Sequence, residues 1–459
     1  MNLSAQQNHF SWKDSITSIN LLGTSSDYSS PRKAAPQINF TENIFSSNEN
    51  ILFEMNSFRY DKIRMNLNSD FHYNSNALIV PFVSAIAKNG FIDSPEKLIT
   101  QQKLKNKNTI DFGSNNEISF QKYQPTGLFK KSLLTFAVKQ RSLNSISFSR
   151  DAFNILFFGN AMYAGETADL SNCKYGALNF QQYQFGFQKW ICNNKHELAV
   201  AVSLLNGMSG TSFKTNTATL FTEQFGEYLD LNYDFDLHST KGKNYFKGVG
   251  ASSDFSFSGY SNKLKTQWWF FAKDVGFISW NKKSTDATAN NFLHFMGVEV
   301  ENLFAQTDSG FLHIKADSIL SLLQIEKQNE AFTSVLPMRI GFAFQNFQHH
   351  LAGNISYRPM VDKHPLLFFQ YKKRINIHGK RNPTIEAFVQ KHLGYNKYFF
   401  DFSPSLSFGG TGNLNLGLRL STTFHGKIYL SLGTFHLQSF FLPEQSTGAS
   451  VFLQLHCNL

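Results

Sequence analysis

The second half of the chain repeats one pattern, in which every other residue is large and apolar while the residues between are small or polar. Side chains of a strand alternate between its two faces, so each such run predicts a strand with one apolar face and one polar face. In the clearest copy, Leu414, Leu416, Leu418 and Leu420 alternate with Asn415, Gly417 and Arg419.

Similar runs cover residues 134–138, 183–187, 198–204, 338–344, 428–432 and 451–459. From about residue 129 onward they follow one another at steady intervals with turn residues between, which is typical of antiparallel strands joined by hairpins. Further strands in residues 36–125 bring the total to about 14, an even number as in bacterial membrane barrels. Alternation alone fits a soluble β-sandwich with an apolar inner face as well as a barrel with an apolar outer face.

Composition favours the barrel. Phenylalanine accounts for 49 of the 459 residues, within an aromatic share of 15%, and lipid-facing bands need more aromatic residues than ordinary cores do. No window approaches 18 uninterrupted apolar residues, which excludes a helical membrane protein and leaves the closed barrel as the membrane-spanning alternative. We therefore predict an all-β protein, with residues 36–459 forming one transmembrane antiparallel β-barrel in a bacterial outer membrane.

The N-terminal residues 1–35 are rich in Ser, Asn and Gln and predict an irregular segment. Leu3-Ser4-Ala5 resembles the end of a secretory signal, so residues 1–5 are interpreted as a signal-peptide remnant. One short helix is predicted from Ser94 to Lys103, with Ser94 as its cap. We expect this helix in the lumen or at the periplasmic mouth of the barrel.

The alternation also assigns individual residues to surfaces. The polar faces predict six residues that line the lumen: Asp274, Arg339, Asn415, Arg419, Gln454 and His456. The charged members could line a pathway or pair with other charges across the lumen. Trp268, Trp269 and Trp280 are predicted at the membrane–water interface, where amphipathic rings are favoured. The alternative for these tryptophans is a stacking platform for sugars or bases.

The formal net charge is +10, from 43 Lys and Arg against 33 Asp and Glu. The basic segments lie between strand-like runs and predict solvated loops, so anionic lipid headgroups are favoured over nucleic acid as partners. The sequence has no Gly-x-Ser-x-Gly elbow and no Cys/His zinc spacing, so no enzyme, cofactor or metal site is predicted. Cys173 and Cys192 could form a disulfide or remain free thiols.

Four stretches follow one another in the order found in a known family: Leu134–Phe148 with Leu156–Asn160, then Tyr163–Leu170, Ala177–Phe180 and Lys273–Trp280. They resemble outer-membrane barrels of unknown function from Bacteroidota, which are related to FadL-like transporters and to PorV of the type IX secretion system. The resemblance covers roughly residues 130–459 and carries no established catalytic residues.

This resemblance implies two functions. Similarity to FadL implies a barrel that binds or passes a small apolar molecule. Similarity to PorV implies a non-transporting scaffold or docking partner for subunits of a secretion, motility or surface-protein complex. The sequence does not decide between them, and outer-membrane lipid is the partner that both share.

Overall fold

A computed structural model describes residues 37–41, 55–59 and 63–458, apart from residues 89, 91, 192–195, 243–244, 262, 297–323, 347, 350, 360–363, 372, 378–397, 413 and 425–427. The predicted N-terminal segment 1–35, with its signal-peptide remnant, and Cys192 lie outside the described residues. In chain order the strands are β1 Gln37–Thr41, β2 Met55–Arg59, β3 Ile63–Ser75, β4 Lys107–Gln124, β5 Ser132–Ser149, β6 Thr167–Asp169, β7 Lys174–Ile191, β8 His196–Thr222, β9 Leu229–Ser239, β10 Gly248–Ser261, β11 Thr266–Trp280, β12 Thr285–Phe295, β13 Glu326–Asn329, β14 Thr333–Val335, β15 Arg339–Asn346, β16 Leu351–Tyr357, β17 His364–Tyr371, β18 Lys373–Ile377, β19 Tyr398–Gly410, β20 Asn415–Phe424, β21 Ile428–Thr434 and β22 Gly448–Asn458.

Fourteen strands close into one antiparallel barrel, which confirms the predicted fold class. Going round the wall, they are β3, β4, β5, β7, β8, β10, β11, β15, β16, β17, β19, β20, β21 and β22. The last strand pairs with the first over the full register from Gly448 opposite Asn74 to Asn458 opposite Arg64. Closure leaves the wall without a free strand edge.

The two ends of the barrel differ. Ile63 and Asn458 lie at one end, which we call the terminus end, and the opposite end is the distal end. Five connections at the terminus end have only three to seven residues, as between β20 and β21 or between β4 and β5. Most distal connections are longer, although the one between β19 and β20 has four residues and the one between β16 and β17 has six. At the distal end β8 extends beyond the barrel to form a small sheet with β9, β12 and β13.

The alternation in the sequence separates the two faces of the wall. On β20, Leu416 is 50% and Leu420 is 48% exposed, whereas Arg419 between them is 3% exposed. On β5, Phe136 and Val138 are exposed while Lys139 is buried. The apolar residues therefore face outward as an apolar belt, and the soluble sandwich with an apolar interior is excluded for this part of the chain.

Four short α-helices accompany the described strands: α1 Val80–Ala87, α2 Ser94–Lys103, α3 Arg150–Phe158 and α4 Gln438–Phe441. None of these helices is long and apolar enough to cross a membrane. Helix α2 confirms the predicted helix, although Asp93, and not Ser94, occupies the N-cap position.

Helices α1 to α3 occupy a place that the sequence did not predict. Phe82 of α1 and Phe153 of α3 share a buried apolar cluster with outward-facing residues near the distal ends of the strands, among them Tyr73 and Phe112. The helices therefore pack on the outside of the wall and do not lie in the lumen or at the terminus end. We call α1 to α3 the helical shoulder.

Next to the helical shoulder, burial raises the pKa of Tyr163, whose hydroxyl donates a hydrogen bond of 2.8 Å to Asp151.

Candidate functional site

A polar layer crosses the lumen at mid-height. The Arg141 guanidinium on β5 contacts an Asp274 carboxylate oxygen on β11 at 2.5 Å, although three strands lie between β5 and β11 along the wall. Arg141 also donates to Asn115 at 3.1 Å and to Gln182 at 3.3 Å. A contact between strands this far apart has to bridge the lumen.

A β-bulge directs Asp274 into this layer. The β10–β11 register shifts between Ser253 and Phe255, and Asp274 has a φ of 58°, in the left-handed region. Such a bulge places two residues of one strand opposite one residue of its partner and redirects a side chain. Asp274 and Lys273 consequently both belong to the polar layer, and the Asp274 amide donates to Asp254 at 2.8 Å.

Further polar ties fill the same layer. Gln184 donates to the second Asp254 carboxylate oxygen at 2.7 Å, and Lys139 lies 3.7 Å from Glu117. Glu117, Lys139 and Asp254 are each at most 3% exposed. Charges buried this deeply are stable only when paired and hydrogen-bonded, so the layer is a constraint on the fold as well as a possible site.

A second ion pair joins opposite sides of the barrel. Arg358, which directly follows β16, contacts Asp111 on β4 at 2.8 Å, and six barrel strands separate β4 from β16 in either direction. His72 on β3 lies 3.8 Å from the same Asp111 oxygen. The lumen is thus spanned by side chains at two levels.

The structure places the six predicted lumen residues as follows. Arg339, Asn415, Arg419, Gln454 and His456 are all at most 8% exposed on inward-facing positions, and the Asp274 side chain is 14% exposed. They do not form one cluster. Arg339 of β15 donates to Ser356 at 3.1 Å, whereas Arg419 donates to Ser431 at 2.7 Å from β20, and three barrel strands lie between β15 and β20. For Asp274, pairing across the lumen is the arrangement found.

The tryptophan assignment requires a correction. Trp269 is 2% and Trp280 is 1% exposed, so neither ring lies at an outer interface. Trp268 and Trp269 are consecutive and must face opposite sides of the wall, and Trp268 takes the outward position, packed beside Phe270. The bulge at Asp274 shifts the alternation of β11, and Trp280 turns inward as a result.

Both buried tryptophans fill the inside of the wall. Trp269 packs with Phe271 and with alanines of β8, β15 and β16. Trp280 packs with Phe180 and Ile278, and its indole N–H donates to Ser334 at 2.9 Å. Gly210 makes room for this ring, since a Cβ there would lie 2.4 Å from a Trp280 carbon. The polar layer is therefore bordered by one apolar cluster on each side.

An apolar groove lies on the outer face of the same wall. Its volume is about 940 Å³. Two rows of outward-facing residues at matched register line it: Phe136, Phe185, Val202, Ser253 and Val275 in one row, and Tyr183, Leu204, Ala251, Phe277 and Val335 in the other. The floor also includes Gln184, Ser203 and Ser252, which belong to the inner face.

Small residues on β10 create this groove. Ala251 and Ser253 occupy the outward positions where neighbouring strands carry Leu204 and Val202. At Gly276 on β11 an added Cβ would lie 2.1 Å from the Ala251 carbonyl oxygen, so glycine allows the two strands to approach closely there. The groove escaped the sequence analysis, and its signal was the interruption of large outward residues at Ala251 and Ser253.

Within the part of the chain that the structure describes, no group of three or more His, Cys, Asp and Glu side chains is placed to hold a metal ion. Cys173 forms no disulfide with another described residue, and its pairing with Cys192, which lies outside the described residues, stays untested.

Solved structures similar to this chain are β-barrels of low sequence identity. The Pseudomonas putida toluene transporter TodX shares 8% identity at a TM-score of 0.38, with 87% of this chain and 90% of TodX covered. A Pseudomonas aeruginosa FadL homologue shares 7% identity at a TM-score of 0.37, with 87% of this chain and 90% of the homologue covered. Similarity at this level concerns the barrel architecture alone.

Among curated proteins, none matches the sequence. A family model does match, over residues 34–434, which include all but the last barrel strand. The chain therefore belongs to this family, described as a family of unknown function (DUF5723).

Proposed function

We propose that the protein is a bacterial outer-membrane β-barrel that binds a small apolar molecule in the groove on its outer wall. A closed antiparallel barrel with an even number of strands and an apolar outer belt suits an outer membrane. Both barrel termini and five of the short connections share one end, which corresponds to the periplasmic side in such barrels. The distal end then faces the outside.

The observation that carries the proposal is the groove itself. Its volume of about 940 Å³ falls within the range of small-molecule sites, roughly 300–1,000 Å³. Aromatic and aliphatic side chains line both sides of β10, with Phe136, Tyr183 and Phe185 on one side and Val275 and Phe277 on the other. An apolar molecule entering from the lipid would therefore contact side chains on both sides of the groove.

The lumen fits an apolar ligand less well. At mid-height it is crossed by the Arg141–Asp274 pair and lined by Lys139, Glu117 and Asp254. An apolar molecule placed there would have to separate buried charges from their partners, which costs several kcal/mol on the scale of about 3–5 kcal/mol for a broken buried pair. Binding in the groove is the part of the FadL-like expectation that the geometry supports, and the PorV-like docking role stays a prediction.

Photolabelling tests the proposal. The protein in phosphatidylcholine nanodiscs is exposed to dodecane carrying a terminal diazirine, and labelled peptides are mapped by mass spectrometry. We expect labelling concentrated on β7, β8, β10 and β11. Ser253→Trp, which fills the groove floor, removes this labelling. Leu453→Trp, at an exposed belt position on β22, leaves it unchanged.

Both variants are first checked for folding by heat-dependent migration in gels. Even labelling around the apolar belt, with no response to Ser253→Trp, would overturn the proposal.

A further inference from the structure

A row of uncharged polar residues lies immediately beside the groove on its distal side. On each of the strands β5, β7, β8, β10, β11 and β14, one outward-facing residue at matched register lies next to the groove on its distal side. These residues are Gln140, Gln181, Asn206, Val249, Ser279 and Thr333. We call the polar members Gln140, Gln181, Asn206, Ser279 and Thr333 the polar row. Asn116 of β4 and Ser69 of β3 continue it in register.

The polar row is close enough to act together with the groove. Gln181 and Asn206 are the next outward residues after Tyr183 and Leu204, which line the groove. Successive outward residues of a strand are about 6.6 Å apart, twice the rise per residue. The Tyr183 hydroxyl donates to the Gln181 side-chain oxygen at 3.2 Å, which links the two surfaces directly.

The chemistry of the polar row is neutral and offers both donors and acceptors. The Asn206 side-chain nitrogen donates to the Gln181 side-chain oxygen at 3.1 Å. The Asn206 side-chain oxygen is buried, since the residue is only 8% exposed, yet it accepts no hydrogen bond from the described residues. Ser279 and Thr333 present exposed hydroxyls. No Lys, Arg, Asp or Glu belongs to this row, so it offers no counter-charge for a carboxylate or a phosphate.

We infer that the groove and the polar row together bind one amphiphile, an acyl lipid with an uncharged, hydroxyl-rich head such as a glycosyl group. The acyl chain occupies the groove, and the head forms hydrogen bonds with Gln181, Ser279 and Thr333. This inference rests on the proposed function, because it assigns the ligand class for the same groove. Amide and hydroxyl groups suit a sugar, which both donates and accepts hydrogen bonds.

The test compares three diazirine probes with the same dodecyl chain in phosphatidylcholine nanodiscs: dodecane, dodecyl glucoside and dodecanoate. We expect dodecyl glucoside to label the groove about tenfold more strongly than dodecane, the effect of one or two net hydrogen bonds. In the double variant Gln181→Leu/Ser279→Ala, glucoside labelling falls to the dodecane level while dodecane labelling persists. Asn116→Leu, in the same row but away from the groove, leaves the preference for glucoside intact.

The outcomes separate the two proposals. If dodecane labels the groove but dodecyl glucoside labels it no better, or if the double variant keeps the preference, the inference fails and the proposed function stands. Stronger labelling by dodecanoate than by the glucoside also overturns the inference, since tight binding of a carboxylate head group requires a cationic side chain beside the groove. If no probe labels the groove above the rest of the belt, the proposed function itself fails.

Discussion

The inner and outer faces of the wall formed by β5, β7, β8, β10 and β11 share one backbone and have opposite chemistry. Inside, polar side chains form hydrogen bonds with polar partners, as Arg141 does with Asp274 and Gln184 with Asp254. Outside, the small residues Ala251 and Ser253 of β10 separate the large apolar side chains of the neighbouring strands, which leaves a groove between them. The inner face needs every partner because it is buried, whereas the outer face tolerates a gap because lipid or a ligand can fill it.

Removing one charge of the inner face should have the largest effect. Arg141→Leu leaves Asp274 buried without its ion-pair partner, and we expect a loss of about 3–5 kcal/mol in the free energy of unfolding. Urea unfolding in detergent, followed by tryptophan fluorescence, measures this loss. The double variant Arg141→Leu/Asp274→Asn removes both charges, keeps a residue that tolerates the left-handed backbone at this position, and should recover most of the loss. Equal losses in the single and double variants would show that the inner pair does not constrain the wall.

A charge on the outer face should cost less, and its cost should depend on depth. Leu420→Arg lies near the middle of β20 and should destabilise the folded barrel by about 2–4 kcal/mol in lipid. Leu414→Arg, next to the distal end of the same strand, should cost about 0–1 kcal/mol. Refolding into vesicles across a urea series gives both values. The same cost at both positions would contradict a lipid-facing belt.

Two glutamines on β7 provide the finest comparison, because they differ mainly in the face they occupy. Gln184→Ala removes the inward hydrogen bond to the Asp254 carboxylate and should cost about 1.5–3 kcal/mol, as for hydrogen bonds to charged groups. Gln181→Ala on the outer face removes the acceptor of the Tyr183 and Asn206 hydrogen bonds, which join neutral groups, and should cost less, about 0.5–1.5 kcal/mol. The urea assay used for Arg141→Leu applies here too, and a reversed order would break the distinction between the faces.

The sequence predicted the strands of the wall and their two faces better than the side-chain contacts inside the lumen. Strict alternation on β5, β8 and β20 identified the two faces, because the period of two is a local property of any strand. Arg141 and Lys139 lie on the inward phase of that alternation, yet their partners Asp274 and Glu117 could not be chosen, since pairing across a lumen depends on the whole closed sheet.

The errors have equally specific causes. The prediction of Trp280 at the interface rests on the preference of amphipathic rings for that region. The bulge at Asp274, which inverts the alternation of β11 and turns this ring inward, leaves no clear signal in a single sequence. The position of α2 was wrong for a different reason. Its sequence defines a helix, but part of the surface on which it packs comes from another connection, since Gln101 of α2 donates a hydrogen bond of 2.9 Å to Asn154 of α3.

The Arg358–Asp111 pair also records how far the sheet has curled. On a flat, open sheet the backbones of these two residues would be seven strand spacings apart, or about 34 Å at about 4.8 Å per spacing. In the closed barrel the Arg358 guanidinium lies 2.8 Å from an Asp111 carboxylate oxygen. The two residues are also 247 positions apart in sequence. The contact can therefore form only once the sheet between β4 and β16 has curled, so thiol cross-linking of cysteines placed at these two positions would report on that curling during assembly.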